Sequence, residues 1–142
     1  MDAKKIIMLI DDDRDDRYFF QNALNRLSDH YAYCEAKHGA EALAQLRAAE
    51  LLPDFIFLDI NMPVMDGIRC LSEIKKDPKL KNIPVIIYTT SSNSKDMELT
   101  NKLGASWYLI KPWDIINLHE KIVETIKKVE EVISTQQEQL NK

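Results

Sequence analysis

No apolar run in this 142-residue chain exceeds about six residues, and crossing a bilayer as a helix takes about 20. No basic stretch leads into an apolar one near the start, so no signal peptide is expected. Positive charge is not in excess: 19 Lys and Arg face 23 Asp and Glu, for a formal charge of −4. A nucleic-acid partner normally requires a basic face and is not expected. Cysteine is scarce. Cys34 and Cys70 make no disulfide framework and have no metal-ligand spacing, so they read as reduced thiols packed like small hydrophobes. No internal repeat is present, and the one low-complexity segment is the tail 134–142 (STQQEQLNK), where fraying is expected. These absences leave a soluble, cytosolic domain as the expectation. An apolar content of 45% argues against disorder, and a chain of this length buries roughly two thirds of the surface it exposes when unfolded.

The apolar residues change period repeatedly along the chain. Short runs at 5–10 (KIIMLI), 31–36 (YAYCEA), 55–58 (FIFL), 85–88 (VIIY) and 107–110 (WYLI) read as strands. Helices are expected between them at about 14–27, 40–49 and 68–76, with a short one ending at Leu103 and Gly104 in the C′ position. From Asp114 onward a long stripe passes through Ile115, Leu118, Ile122, Ile126, Val129 and Ile133. On the first helix Tyr18, Ala23, Leu24 and Leu27 are expected to share a face, with Tyr18-Phe19-Phe20 packing it onto the sheet. Five β-α units whose strands are apolar on both sides imply a parallel sheet covered by helices on each face. The expectation is one doubly wound α/β domain.

In open parallel sheets, ligands bind beyond the carboxyl ends of the strands. Asp11 and Asp12 follow the first strand, while Asp59, Thr89 and Lys111 close the third, fourth and fifth. Three carboxylates, a hydroxyl and an ammonium on one edge suit a hard divalent cation and a phosphoryl group. Mg²⁺ takes oxygen ligands and is usually held by one or two carboxylates plus phosphate oxygens. A carboxylate can itself be a nucleophile, and the phosphoryl transition state needs positive charge at its equatorial oxygens. The stretch "DDDRDD" at 11–16 places five aspartates in six positions. Two unit charges about 5 Å apart repel by roughly 3 kcal/mol at a dielectric near 20, so the cluster requires a division of labour. Asp11 and Asp12 belong to the sheet edge and its cation; Asp13 suits an N-cap, and Asp15 and Asp16 suit the first turn of the helix that follows.

Four blocks together resemble a known family. They are the acidic pair Asp11-Asp12, "LDINMPVMDG" at 58–67, "IPVIIYTT" at 83–90 and "GASWYLIKP" at 104–112. In order and spacing, from about Lys5 to Val129, the chain resembles the receiver domain of bacterial two-component response regulators, of the stand-alone chemotaxis type. The resemblance implies a flavodoxin-like fold of five parallel strands in the order 2-1-3-4-5 with five helices. It implies a receiver domain over 1–131, followed at 132–142 by a helix extension or a frayed tail. Asp59 would accept the phosphoryl group from a sensor histidine kinase, a phosphotransfer protein or a small phosphodonor. Asp12, Asp59 and the Asn61 backbone carbonyl would ligate Mg²⁺, with Asp11 acting through a metal-bound water. Lys111 would contact Asp59 and then the phosphoryl oxygens. Thr89 and Tyr108 would form the switch that reshapes the fourth helix, fifth strand and fifth helix for a downstream protein target. That same face would serve a monomer or a weak homodimer, and the Lys111–Pro112 bond would be cis. With no appended helix-turn-helix expected, output would pass through a separate protein.

Two features depart from the family pattern. Thr90 stands where Ala or Gly is usual after the switch hydroxyl, and the C-terminal stripe runs some ten residues long, with Val132 and Ile133 as candidate dimer contacts. The bulk of Thr90 keeps open a receiver-like interaction module that is not phosphorylated. A Mg²⁺-dependent phosphatase of the haloacid-dehalogenase type is a further alternative, because Asp11-Asp12-Asp13 contains its D-x-D; Asp15 departs from that motif. On the main reading the chain is no turnover enzyme beyond catalysing its own phosphorylation and dephosphorylation. His30, His38 and His119 have no ligand spacing, and Lys75, Lys76, Lys79 and Lys81 read as a solvated helix end.

Overall fold

The computed structural model describes residues 4–27, 29–62 and 66–140. Five strands, β1 (Lys5–Ile10), β2 (Tyr31–Ala36), β3 (Phe55–Leu58), β4 (Val85–Thr89) and β5 (Trp107–Ile110), alternate with five helices. The helices are α1 (Arg14–Asn25), α2 (Gly39–Ala48), α3 (Gly67–Lys76), α4 (Ser94–Lys102) and α5 (Leu118–Leu140). The strands form one sheet in the order β2-β1-β3-β4-β5, and every pairing is parallel. The expected architecture is therefore the one observed.

Successive strand residues point to opposite faces, so each run supplies two cores. Met8, Ile10, Ile56, Leu58 and Ile87 meet Leu43 and Leu46 of α2 and Leu71 and Ile74 of α3. Ile7, Leu9, Phe57, Ile86 and Tyr88 meet Phe20 and Leu24 of α1 and Ile122, Ile126 and Val129 of α5. The apolar runs at 7–10 of β1, 55–58 of β3 and 85–88 of β4 follow from burial on both faces, whereas β2 and β5 lie at the edges and are half-buried. No helix among the described residues is long and apolar enough to cross a membrane.

Three local expectations need correction. Tyr18 is 62% exposed while Phe20 is fully buried. The inward face of α1 runs through Arg17, Phe20, Ala23 and Leu24, and Tyr18 falls out of that phase. The last helix begins at Leu118 rather than near Asp114. Asp114 accepts a hydrogen bond from the Ile116 N–H at 2.9 Å, closing a turn that leaves Ile115 46% exposed. Third, no cis peptide occurs among the described residues, so Lys111–Pro112 is trans. Trans is the intrinsic preference of such bonds by about 0.5–1 kcal/mol, and Lys111 reaches its carboxylate partners without the cis isomer.

Caps define the helix starts. The Asp13 side chain accepts from the Asp16 N–H at 2.9 Å, as its N-cap reading requires. Asp66 and Asn93 cap α3 and α4, and His38 caps α2 through Nδ1. His38 thus has a structural task that its isolated place in the sequence does not suggest. Gly104 takes φ 103° after α4, the left-handed conformation expected of a C′ glycine.

Candidate phosphoryl-acceptor and metal site

The sheet ladder runs one residue past the strands and aligns the site. The Asp11 N–H donates to the Ala36 carbonyl at 3.1 Å, the Asp59 N–H to Ile10 at 2.9 Å, and the Lys111 N–H to Thr89 at 2.8 Å. The three side chains are thereby held at one sheet edge by backbone bonds to neighbouring strands. Beneath Asp59 the chain approaches itself closely. A Cβ on Gly67 would lie 2.1 Å from the Asp59 carbonyl oxygen and 2.4 Å from the Ile60 Cα. Only glycine allows α3 to start there.

Asp11, Asp12 and Asp59 each present a carboxylate oxygen within 4.8 Å of the others. Asp11 is fully buried, Asp59 is 6% exposed, and Asp12 faces solvent. The Lys111 ammonium enters from β5, 3.2 Å from Asp59 Oδ2 and 2.6 Å from Asp16 Oδ2. Asp11 Oδ2 is 2.8 Å from the same ammonium but off its hydrogen-bonding direction, so that buried oxygen has an ionic neighbour and no hydrogen-bond partner. The Lys111 ammonium lies over the face of Tyr88, 5.5 Å from its ring centroid. Tyr88 stacks edgewise on Phe20 and Phe57, giving the lysine an apolar floor.

Burial pushes the Asp11 carboxyl up to about 6, against the lowering influence of Lys111. Burial likewise pulls the Lys111 ammonium down, but pairing with Asp11 and Asp16 and the charge of Asp59 outweigh it and leave it raised. Three carboxylates around one ammonium, with Asp12 beside two of them, leave a surplus of negative charge. An oxygen-only donor set, with one buried oxygen that has no hydrogen-bond partner, fits a hard divalent cation, which prefers oxygen ligands.

The remaining expected residues gather at the same edge. Asn61 donates its backbone N–H to Asp59 Oδ1 at 3.1 Å, and its side-chain amide lies 3.4 Å from Thr89 Oγ1. Thr89 is fully buried at the end of β4, whereas Thr90 is exposed. Tyr108 is half-buried, and its hydroxyl donates to the Ser91 carbonyl at 2.8 Å, tying β5 to the loop after β4. Pro63, Val64 and Met65 of the third-strand motif lie outside the described residues. Asp13, second acid of the D-x-D reading, is committed to capping α1, which removes support for a phosphatase built on that motif.

Two contributors are not evident from the sequence motifs. Asp16 reaches Lys111, and Arg17 is buried with its guanidinium bonded to the Asp11 carbonyl at 2.9 Å and to Glu35 at 2.8 Å. The available signal is helical spacing: Arg17 stands at i+4 from the Asp13 N-cap, on the inward face, where an unpaired charge is costly.

A family model described as the response regulator receiver domain matches residues 7–123. Response regulator Rcp1 of Synechocystis sp. is 32% identical over 123 residues, covering 83% of this chain and 84% of its own. Its Mn²⁺-bound crystal structure superposes with a TM-score of 0.75, at 32% identity over 83% of this chain and 88% of that one. The phosphorylated cyanobacterial phytochrome response regulator RcpA is closer in shape, with a TM-score of 0.80, 36% identity and coverage of 89% and 93%. Chemotaxis protein CheY1 of Helicobacter pylori is 31% identical over 116 residues, 82% of this chain and 92% of its own. The sheet order and the acidic edge agree with a match that spans most of the sequence, and the chain belongs to the response regulator receiver domain family, the phosphorylation-operated modules of two-component signalling.

Proposed function

We propose that Asp59 is the phosphoacceptor and that the site works with Mg²⁺. The observation that carries this reading is the placement of Lys111 Nζ 3.2 Å from Asp59 Oδ2, a carboxylate that belongs to a trio clustered within 4.8 Å. Asp12 and Asp59 would hold the cation with the Asn61 carbonyl, and Asp11 would act through a water. Bound there, Mg²⁺ supplies positive charge for the phosphoryl oxygens. An Asp59 carboxylate oxygen attacks phosphorus, the bond to the donor's leaving group breaks, and the electron pair departs with that group. Lys111 follows the transferred charge, and the Thr89 hydroxyl donates to a phosphoryl oxygen. Mn²⁺ in Rcp1 supports a divalent site, and the oxygen-only donor set is the reason for naming Mg²⁺.

Thr89 and Tyr108 are proposed as the switch. The Tyr108 bond to Ser91 must be remade if the ring turns inward, which would alter the α4-β5-α5 face that meets a downstream protein. A sensor histidine kinase or phosphotransfer protein would be the phosphodonor, placing the chain in the cytoplasm. The protein would be a monomer or weak homodimer through α4-β5-α5. Its only catalysis would be its own phosphorylation and dephosphorylation. We assign residues 1–131 to the receiver unit and 132–142 to a C-terminal helix extension or tail, in which α5 runs to Leu140; Asn141 and Lys142 lie outside the described residues.

The test is incubation with acetyl phosphate and Mg²⁺, followed by intact-mass measurement and mapping of the acid-labile adduct. The expected result is one phosphoryl group on Asp59, absent in Asp59→Asn and absent with chelator. An adduct that persists in Asp59→Asn moves the nucleophile elsewhere, and no adduct under any donor supports the unphosphorylated interaction module instead.

A further inference from the structure

The shortest contact of Lys111 is with none of the three clustered carboxylates. It is with Asp16, at 2.6 Å, against 2.8 Å to Asp11 and 3.2 Å to Asp59. Asp16 stands in the first turn of α1, and its side chain is 33% exposed where that of Lys111 is 8% exposed. It lies outside the trio whose oxygens converge, so the ammonium bridges an outer carboxylate and an inner pair. Among the described residues no other Lys or Arg pairs with these side chains; the Arg17 guanidinium is turned to Glu35 and a backbone carbonyl. One ammonium has only three N–H donors, and a phosphoryl group on Asp59 would bring three more acceptor oxygens into its reach.

We propose that Asp16 is a positioning residue acting through Lys111: it shares the ammonium with Asp59 in the resting protein, holding it at the shorter distance, and competes with the phosphoryl group for it, so limiting the rate of phosphorylation. The inference rests on the Asp59 reading above. In that step an Asp59 oxygen bonds to phosphorus, the bond from phosphorus to the acetate oxygen of acetyl phosphate breaks, and acetate leaves with the electron pair. Negative charge gathers on the equatorial oxygens, where a freely disposed ammonium would stabilise it. Asp16 diverts that ammonium and sets its own charge at the outer side of the site, against an anionic donor. Other carboxylates in the first turn of α1 serve its dipole equally well, since Asp15 has the same favourable placement. The helix therefore does not need Asp16 for its own start.

The experiment compares wild type, Asp16→Asn and Asp16→Glu as full chains. Phosphorylation by acetyl phosphate at saturating Mg²⁺ is followed by intact mass, with the adduct mapped. Asp16→Asn keeps the shape and loses the charge, and its rate constant is expected to rise about tenfold, the equivalent of about 1.4 kcal/mol in the barrier. Asp16→Glu should return the rate most of the way to wild type. A second readout needs no metal: the Lys111 ammonium ¹H–¹⁵N resonance of the metal-free protein should shift in Asp16→Asn and move back in Asp16→Glu. A structural role alone would slow phosphorylation on removal, so a gain in rate is diagnostic. A labelled wild type with an unchanged or slower Asp16→Asn overturns this inference and leaves Asp59 in place. No adduct in wild type or variant overturns the Asp59 reading and this inference with it.

Discussion

Burial of Asp11 is costly in the metal-free protein. Its carboxyl is pushed up to about 6 from an ordinary 3.8, so between those values the folded chain keeps a proton that the unfolded chain has released. Stability contributed by this group therefore falls as pH rises from about 4 to about 6 and stays low above it. A difference of that size corresponds to roughly 3 kcal/mol. Asp11→Asn, which removes the charge and keeps an acceptor for the Asp13 N–H, should stabilise the metal-free protein at pH 8 by about 1–3 kcal/mol. Urea unfolding at pH 8 and pH 4 checks the sign, because the gain should shrink toward the lower pH. Lys111 limits the penalty without abolishing it, since its ammonium is shared among Asp11, Asp16 and Asp59. The carboxylate whose charge weakens the fold is thus one whose burial penalty a cation beside it would relieve.

At the scale of the elements, the acidic sheet edge depends on what lies beneath it. Because a Cβ at position 67 would fall 2.1 Å from the Asp59 carbonyl, Gly67→Ala should push α3 away from the end of β3. The expected cost is about 3 kcal/mol or more, at the upper range for single substitutions, with a matching loss of acetyl-phosphate labelling at Asp59. Thermal unfolding and intact mass measured on one preparation test both halves of that statement. Strand existence is legible in the sequence because the central parts of β1, β3 and β4 are buried on both faces, and strands so placed read as near-continuous apolar runs. Helix phase is less so. Tyr18 and Phe20 are both aromatic and two apart, and only packing against Phe57 and Tyr88 decides which one turns inward. The start of α5 is hidden because Ile115 continues the apolar spacing, while the Asp114 side chain closes a turn there.

At the scale of the whole molecule, a cation bound to the folded chain and not to the unfolded one must stabilise it. At a hundred times its dissociation constant the gain is about 2.7 kcal/mol, so the unfolding midpoint should climb with Mg²⁺ concentration. Asp12→Asn should flatten that dependence, whereas Asp13→Asn should leave it intact, because Asp13 is committed to α1. Differential scanning calorimetry across a Mg²⁺ series distinguishes the two. Asp11, Asp12, Asp59, Thr89 and Lys111 are readable as one site because parallel strands send their carboxyl ends to one edge. Asp16 and Arg17 are not, since their partners are fixed only in the folded chain: Asp16 meets Lys111 across 95 positions of sequence.

That separation orders events during synthesis. The sheet edge collects its acids from positions 11, 12, 16 and 59 long before the ribosome has made position 111. A nascent chain halted after β4 would hold these carboxylates with no ammonium to draw them together, and the last strand, once released, would complete the site and the sheet in the same movement.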